Sequence, residues 1–134
     1  MIKNLIISVD FDGTCVAHDF PRIGEDIGAI PILKRTVENG NKLILNTMRS
    51  YGDGEIEDTI SPAIDWFYDN GIELWAVNKN PSQHKWTNSS KVFANYYIDD
   101  TALGAPLKID LRLSRRPFID WEAMEKILEG KGII

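Results

Sequence analysis

The stretch that most constrains this chain is Asn4–Cys15, Asn-Leu-Ile-Ile-Ser-Val-Asp-Phe-Asp-Gly-Thr-Cys. An apolar run (Leu5, Ile6, Ile7, Val9) ends abruptly in two carboxylates, Asp10 and Asp12, and then Gly13-Thr14. A continuous apolar run closed by glycine reads as a strand buried on both faces, the kind found in parallel sheets. Open α/β sheets bind their ligands just beyond the carboxyl ends of the strands. The run therefore delivers Asp10 and Asp12 to the place where such a protein does its chemistry. Acids at i and i+2 of a regular strand share a face, and their repulsion is relieved by a cation between them. The plainer reading is an Asp-Gly turn after a strand; the rest of the chain decides between the two.

Three more apolar segments follow, separated by helical patterns. Pro31 is expected to open a helix with Ile30, Leu33 and Val37 inward, closed by Asn39-Gly40. Leu43–Leu45 is a second buried strand that runs out into Thr47 and Arg49. Ile60, Ala63, Ile64 and Phe67 fall at i, i+3, i+4 and i+7 of a second helix, with Pro62 in its first turn or at a kink. Leu74–Val77 gives a third strand and Tyr96–Ile98 a fourth, which again ends in two carboxylates, Asp99 and Asp100. Alternation of Leu107, Ile109, Leu111 and Leu113 with Lys108, Asp110 and Arg112 predicts an edge strand with one wet face. Asp120 caps a last helix with Trp121, Met124, Ile127 and Leu128 inward. This order predicts an α/β, three-layer Rossmann-like fold, a mostly parallel sheet with helices on both faces.

With 134 residues the chain reads as one domain, residues 1–134, able to bury about two-thirds of its unfolded surface. A net charge of −5 speaks against a nucleic-acid partner, which calls for a basic excess. Cys15 is the only cysteine, which points to a reducing, cytoplasmic setting and a small packed side chain there. No segment is apolar enough for a membrane, and Met1-Ile2-Lys3 leads straight into the first strand, which leaves no room for a leader.

Together the strand ends offer carboxylates, the Thr47 hydroxyl and a lysine ahead of the fourth strand, Lys91 or alternatively Lys79. Phosphoryl transfer needs chiefly positioning and charge stabilisation of this kind, Mg²⁺ takes a few carboxylates plus phosphate oxygens, and a carboxylate nucleophile divides one displacement into two.

In this order the elements resemble those of the haloacid dehalogenase (HAD) superfamily of phosphohydrolases. Asp10-Phe11-Asp12-Gly13-Thr14 is similar to its first motif, Leu43–Thr47 to its second, and Asp99-Asp100 to its fourth, with the lysine as the third. The resemblance implies an HAD-like phosphomonoesterase with Asp10 as nucleophile, Asp12 as general acid and base, and Thr47 and the lysine on the phosphoryl oxygens. Lys91 is favoured because it leads into the fourth strand, as in short members of the family. The resemblance further implies Mg²⁺ held by Asp10, Asp99, Asp100 and the backbone carbonyl of Asp12. The stretches between motifs leave no room for a cap domain. The site is then open, covered by the Val16–Gly28 loop, neighbouring loops or another subunit of a homo-oligomer. Loop residues such as Arg22 and Arg49 would set selectivity. Arg49 reads equally as a substrate contact or a structural ion pair, and His18 as a surface histidine of the loop in preference to one lining the entrance. The implied substrate is a small phosphorylated molecule or the phosphate end of a larger one. Rival readings are transfer to an acceptor other than water, a silent binding module on the same fold, and a response-regulator receiver. The receiver expects its acid pair on the first strand, the reverse of the order here.

Overall fold

The computed structural model describes residues 4–134; Met1, Ile2 and Lys3, on which the reading of a leaderless start rests, lie outside them. Four strands, β1 (Ile6–Val9), β2 (Lys42–Leu45), β3 (Ala76–Val77) and β4 (Tyr96–Ile98), form one sheet in the order β3-β2-β1-β4, every pair parallel. Ile7 pairs with Leu43 and Tyr96, and Val9 with Leu45 and Ile98, so these residues share one face. Three helices, α1 (Ala29–Glu38), α2 (Ile60–Asp69) and α3 (Trp121–Gly130), flank the sheet. The main core joins Ile7, Val9, Leu43, Leu45 and Ile98 to Leu33 of α1, Ala63 and Phe67 of α2, and Trp121, Met124 and Leu128 of α3. Helices on both faces were expected, yet all three reach this one core. The connection from β3 to β4, which a second helical layer would need, holds only a 3₁₀ turn at Gln83–Lys85. Gln83 is buried there and ties the connection together through the carbonyls of Ser89 and Lys91 and the N–H of Phe93.

Helix ends follow local chemistry. Gly28, at φ 95°, supplies the left-handed turn into α1, which begins two residues before Pro31. Its buried stripe is Ala29, Ile32, Leu33 and Thr36, with Ile30 and Val37 half-buried. Pro62 sits in the first turn of α2, where its missing N–H has no partner to lose. The Asp120 carboxylate accepts from the N–H groups of Glu122 and Ala123 and caps α3. Inward positions of α3 are Trp121, Met124 and Leu128, while Ile127 is 41% exposed.

The expected edge strand is mostly turn. Only Leu107–Lys108 (β5) is extended, and it pairs antiparallel with Phe118–Ile119 (β6) in a separate two-stranded sheet. The carbonyl of Asp110 accepts from Leu113 and Ser114, and its carboxylate accepts the Arg112 backbone N–H, so the chain curls where the alternation suggested extension. Ile109 and Leu111 are consequently solvent-exposed. Among the described residues no helix is long and apolar enough to cross a membrane.

Candidate functional site

The strand order reverses between β1 and β4, the switch point at which open α/β sheets form their binding crevice. Asp10 leaves β1 with its N–H on the carbonyl of Ile98, so the carboxyl ends of the two strands are joined directly. Thr14, fully buried, closes the joint: its hydroxyl donates to Asp10 Oδ2 (2.9 Å) and accepts from the Asp100 N–H (3.0 Å). One carboxylate oxygen each of Asp10, Asp99 and Asp100 lies within 4.8 Å of the others. Burial, and after it the charge of Asp99, pushes the Asp10 carboxyl up to about 7, although the Thr14 hydroxyl pulls the other way. Three oxygens so disposed can hold a hard cation, which would relieve that repulsion.

The carboxylate of Asp12 does not join this group. The strand ends at Val9, and the carbonyl of Phe11 already accepts from the Thr14 and Cys15 N–H groups, so the chain is turning between the two aspartates. The i, i+2 rule for a shared face no longer applies. Asp12 instead receives Arg49 Nε on Oδ2 and Nη2 on Oδ1, both at 2.8 Å. The Arg49 side chain is fully buried and directs its other donors to the carbonyls of Pro21, Thr59 and Arg22. Its Cζ lies 5.0 Å from the centroid of the Phe11 ring and 5.2 Å from that of the Phe20 ring. All five guanidinium donors are thereby engaged. Arg49 is the structural ion pair of the two readings the sequence left open.

An open cleft of about 380 Å³ contains Asp10, Asp12, Thr47, Asp99 and Asp100, with Phe20, Met48, Thr101 and Arg116 at its exposed rim. Thr47 accepts the Arg49 N–H on its hydroxyl oxygen and gives its own N–H to the Asn78 side chain, which leaves the hydroxyl proton without an acceptor among the described residues. Five expected residues are thus brought together. Lys91 is not. A parallel strand receives its chain at the amino end: Asn95 donates to the carbonyl of Ile6, at the far end of β1 from Asp10. Lys91 lies four residues earlier still, exposed, with its ammonium 6.0 Å from the Tyr97 ring. Lys79 borders a neighbouring depression with Ser50 and Tyr51 and does not line the cleft either. Arg22 is exposed and paired with Asp19, and it contributes only its carbonyl, to Arg49.

One residue was misjudged and one missed. His18 is no surface histidine: its side chain is 12% exposed and its Nε2 lies 3.0 Å from Asp100 Oδ2. The signal available was its place four residues after Thr14, on a loop that had to return over the site. Arg116 lies far down the chain, beyond the Leu107–Leu113 alternation and ahead of the last helix, and nothing local marked it. Cys15 is buried with its thiol on the Asp10 carbonyl, and burial pushes the thiol well above its ordinary range, as a packed side chain requires.

Fold and site together define an α/β protein with a cation-competent acidic cluster at its topological switch point. No family model and no curated protein matches the chain. Among solved structures, a conserved protein coded by a locus of Bacteroides thetaiotaomicron superposes with a TM-score of 0.72 at 33% identity, over 96% of this chain and 93% of that one. At that identity across nearly the whole of both chains, this protein belongs to the same family as the conserved Bacteroides protein.

Proposed function

We propose that this chain is a Mg²⁺-dependent, capless phosphomonoester hydrolase of HAD type, working through an aspartyl-phosphate on Asp10. The observation that carries the reading is the convergence of Asp10, Asp99 and Asp100 within 4.8 Å at the strand-order switch. Asp10 Oδ attacks phosphorus, and the bond to the leaving oxygen breaks with its electron pair. Water then attacks the acyl phosphate, releases inorganic phosphate and restores the Asp10 carboxylate. The Thr47 hydroxyl donates to a phosphoryl oxygen. Asp10, Asp99 and Asp100 would hold Mg²⁺, which supplies charge neutralisation when bound. Asp12 would protonate the leaving oxygen. Both its oxygens carry an Arg49 N–H, so it works from its remaining lone pairs or after one bond is exchanged.

That clamp on Asp12 also favours a second reading, a catalytically silent module that binds a metal or phosphate on the same fold. A panel of phosphorylated metabolites with purified protein separates the two. The hydrolase reading expects turnover that EDTA removes and Mg²⁺ restores, and that Asp10→Asn abolishes. It also expects Asp12→Asn to slow phosphoryl transfer about 10²–10⁴-fold for poor leaving groups and much less for good ones. Phosphate and metal binding without turnover on any ester would favour the silent module.

A further inference from the structure

The cleft is built of negative charge, and a phosphate ester is negative too. Asp10, Asp12, Asp99 and Asp100 line it, and Arg49, the cation at its floor, has no donor to spare. Neither Lys79 nor Lys91 reaches it. Among the described residues one further lysine or arginine lines the cleft, Arg116, and its guanidinium makes no hydrogen bond or ion pair with another described side chain or carbonyl, whereas His18 is already engaged with Asp100.

Arg116 is exposed, but its base is fixed. Its N–H is tied to Ser114 Oγ (3.1 Å), and two residues on, Phe118 and Ile119 are fully buried. Ile119 N–H donates to the carbonyl of Gly13 (3.0 Å), and the Trp121 indole N–H to the carbonyl of Thr14 (2.8 Å). Gly13 and Thr14 form the turn that also presents Asp10 and Asp12. The segment just ahead of β6 that bears Arg116 is therefore bonded through β6 to the backbone of the acidic turn itself, and the Arg116 side chain lines the same cleft as the carboxylates.

We propose that Arg116 is the anion-binding residue of this cleft, receiving the phosphoryl oxygens of a phosphomonoester on the side facing the acidic cluster. The inference rests on the phosphohydrolase reading for its substrate class and moves the positive charge from a core lysine to the β5–β6 hairpin. A planar guanidinium suits the task because it can engage two phosphate oxygens at once.

The test is calorimetric titration of inorganic phosphate, with Mg²⁺ present and at fixed ionic strength, into the wild type, Arg116→Ala, Arg116→Lys and Arg115→Ala. Arg115 is the exposed neighbour, absent from the cleft lining, and controls for the general field of the hairpin. Arg116→Ala should weaken phosphate at least tenfold and raise KM for esters. Arg116→Lys should keep part of the affinity, and Arg115→Ala should match the wild type. Equal phosphate affinity in Arg116→Ala and the wild type overturns the proposal, as does an equal loss in Arg115→Ala, or a wild type that binds no phosphate. Ester turnover in the same samples tests the hydrolase reading separately. Turnover untouched in Arg116→Ala sinks Arg116 alone, whereas arginine-dependent phosphate binding without turnover sinks hydrolysis alone.

Discussion

Arg49 shows how one residue ties the site to the stability of the chain. It is a buried cation whose partners come from three separate segments: Asp12 after β1, Pro21 and Arg22 in the following loop, and Thr59 at the start of α2. Removing one member of a buried, hydrogen-bonded ion pair leaves the other uncompensated and costs about 3–5 kcal/mol. Arg49→Ala should lose about that much in urea unfolding, on top of the three carbonyls of Pro21, Arg22 and Thr59 that lose its donors. Arg49→Lys should recover little, because an ammonium cannot reproduce a fork to both oxygens of Asp12. Asp12→Asn keeps an acceptor and should be milder. Unfolding midpoints for Arg49→Ala and Arg49→Lys within 0.5 kcal/mol of the wild type would contradict a buried clamp.

At the scale of elements, the Val16–Gly28 loop does more than cover the cleft. Val16 bridges to Asp26, and Ala17 N–H bonds the Glu25 carbonyl, so the loop folds back on itself. That brings His18 to Asp100 and the Pro21 and Arg22 carbonyls to Arg49. The fold-back passes Gly24 so closely over Ala17 that a methyl group on Gly24 would collide with the Ala17 carbonyl oxygen, a backbone atom that cannot swing aside. Gly24→Ala should open the loop, lower stability by about 1–3 kcal/mol, the usual scale of overpacking, and expose residues 17–25 to limited proteolysis. Gly130→Ala, with open space around it at the end of α3, should be neutral or slightly stabilising. Unchanged stability and cleavage in Gly24→Ala would count against the fold-back. The loop also marks how far the sequence could be read. Strands β1, β2 and β4 and helices α2 and α3 were legible because their apolar spacing is local and their caps are chemical. The convergence of Asp10, Asp99 and Asp100 followed, since parallel strands carry their carboxyl ends to one edge. The partners of His18 and Asp12 and the place of Arg116 at the cleft were not legible, because the first two contacts span 82 and 37 residues and the third depends on how a turn aims a side chain. Lys91 misled because nearness to a strand in sequence says nothing of which end of that strand it meets.

For the whole molecule, the acidic cluster makes stability a function of pH and of cation. Asp10 is held up to about 7 by burial and by Asp99, against 3.8 for the free carboxyl. Its folded value lies above its unfolded one, so between about pH 4 and 7 the native state keeps a proton that the unfolded chain has released. Stability then falls as pH rises through that window, and the full penalty, on the order of 2–4 kcal/mol, stands above pH 7. Below about pH 4 both states are protonated and the contribution vanishes. Asp19, Asp58 and Asp110 are shifted downward by their hydrogen bonds to Arg22, Ser61 and Arg112, but these surface contributions vary only below about pH 4 and are constant across the window above it. The metal-free protein should therefore lose thermal stability between pH 5 and 8, and Asp10→Asn, which cannot ionise, should lose less. The gap between the two should widen with pH and close near pH 4. Mg²⁺ favours the deprotonated cluster, so its stabilisation of the wild type should grow across the same window and shrink in Asp10→Asn. Melting curves at several pH values, in EDTA and in Mg²⁺, read all of this at once. A gap between wild type and Asp10→Asn that is constant from pH 4 to 8 would mean that Asp10 carries no raised pKa and that the three carboxylates are not the coupled, cation-seeking group their geometry describes.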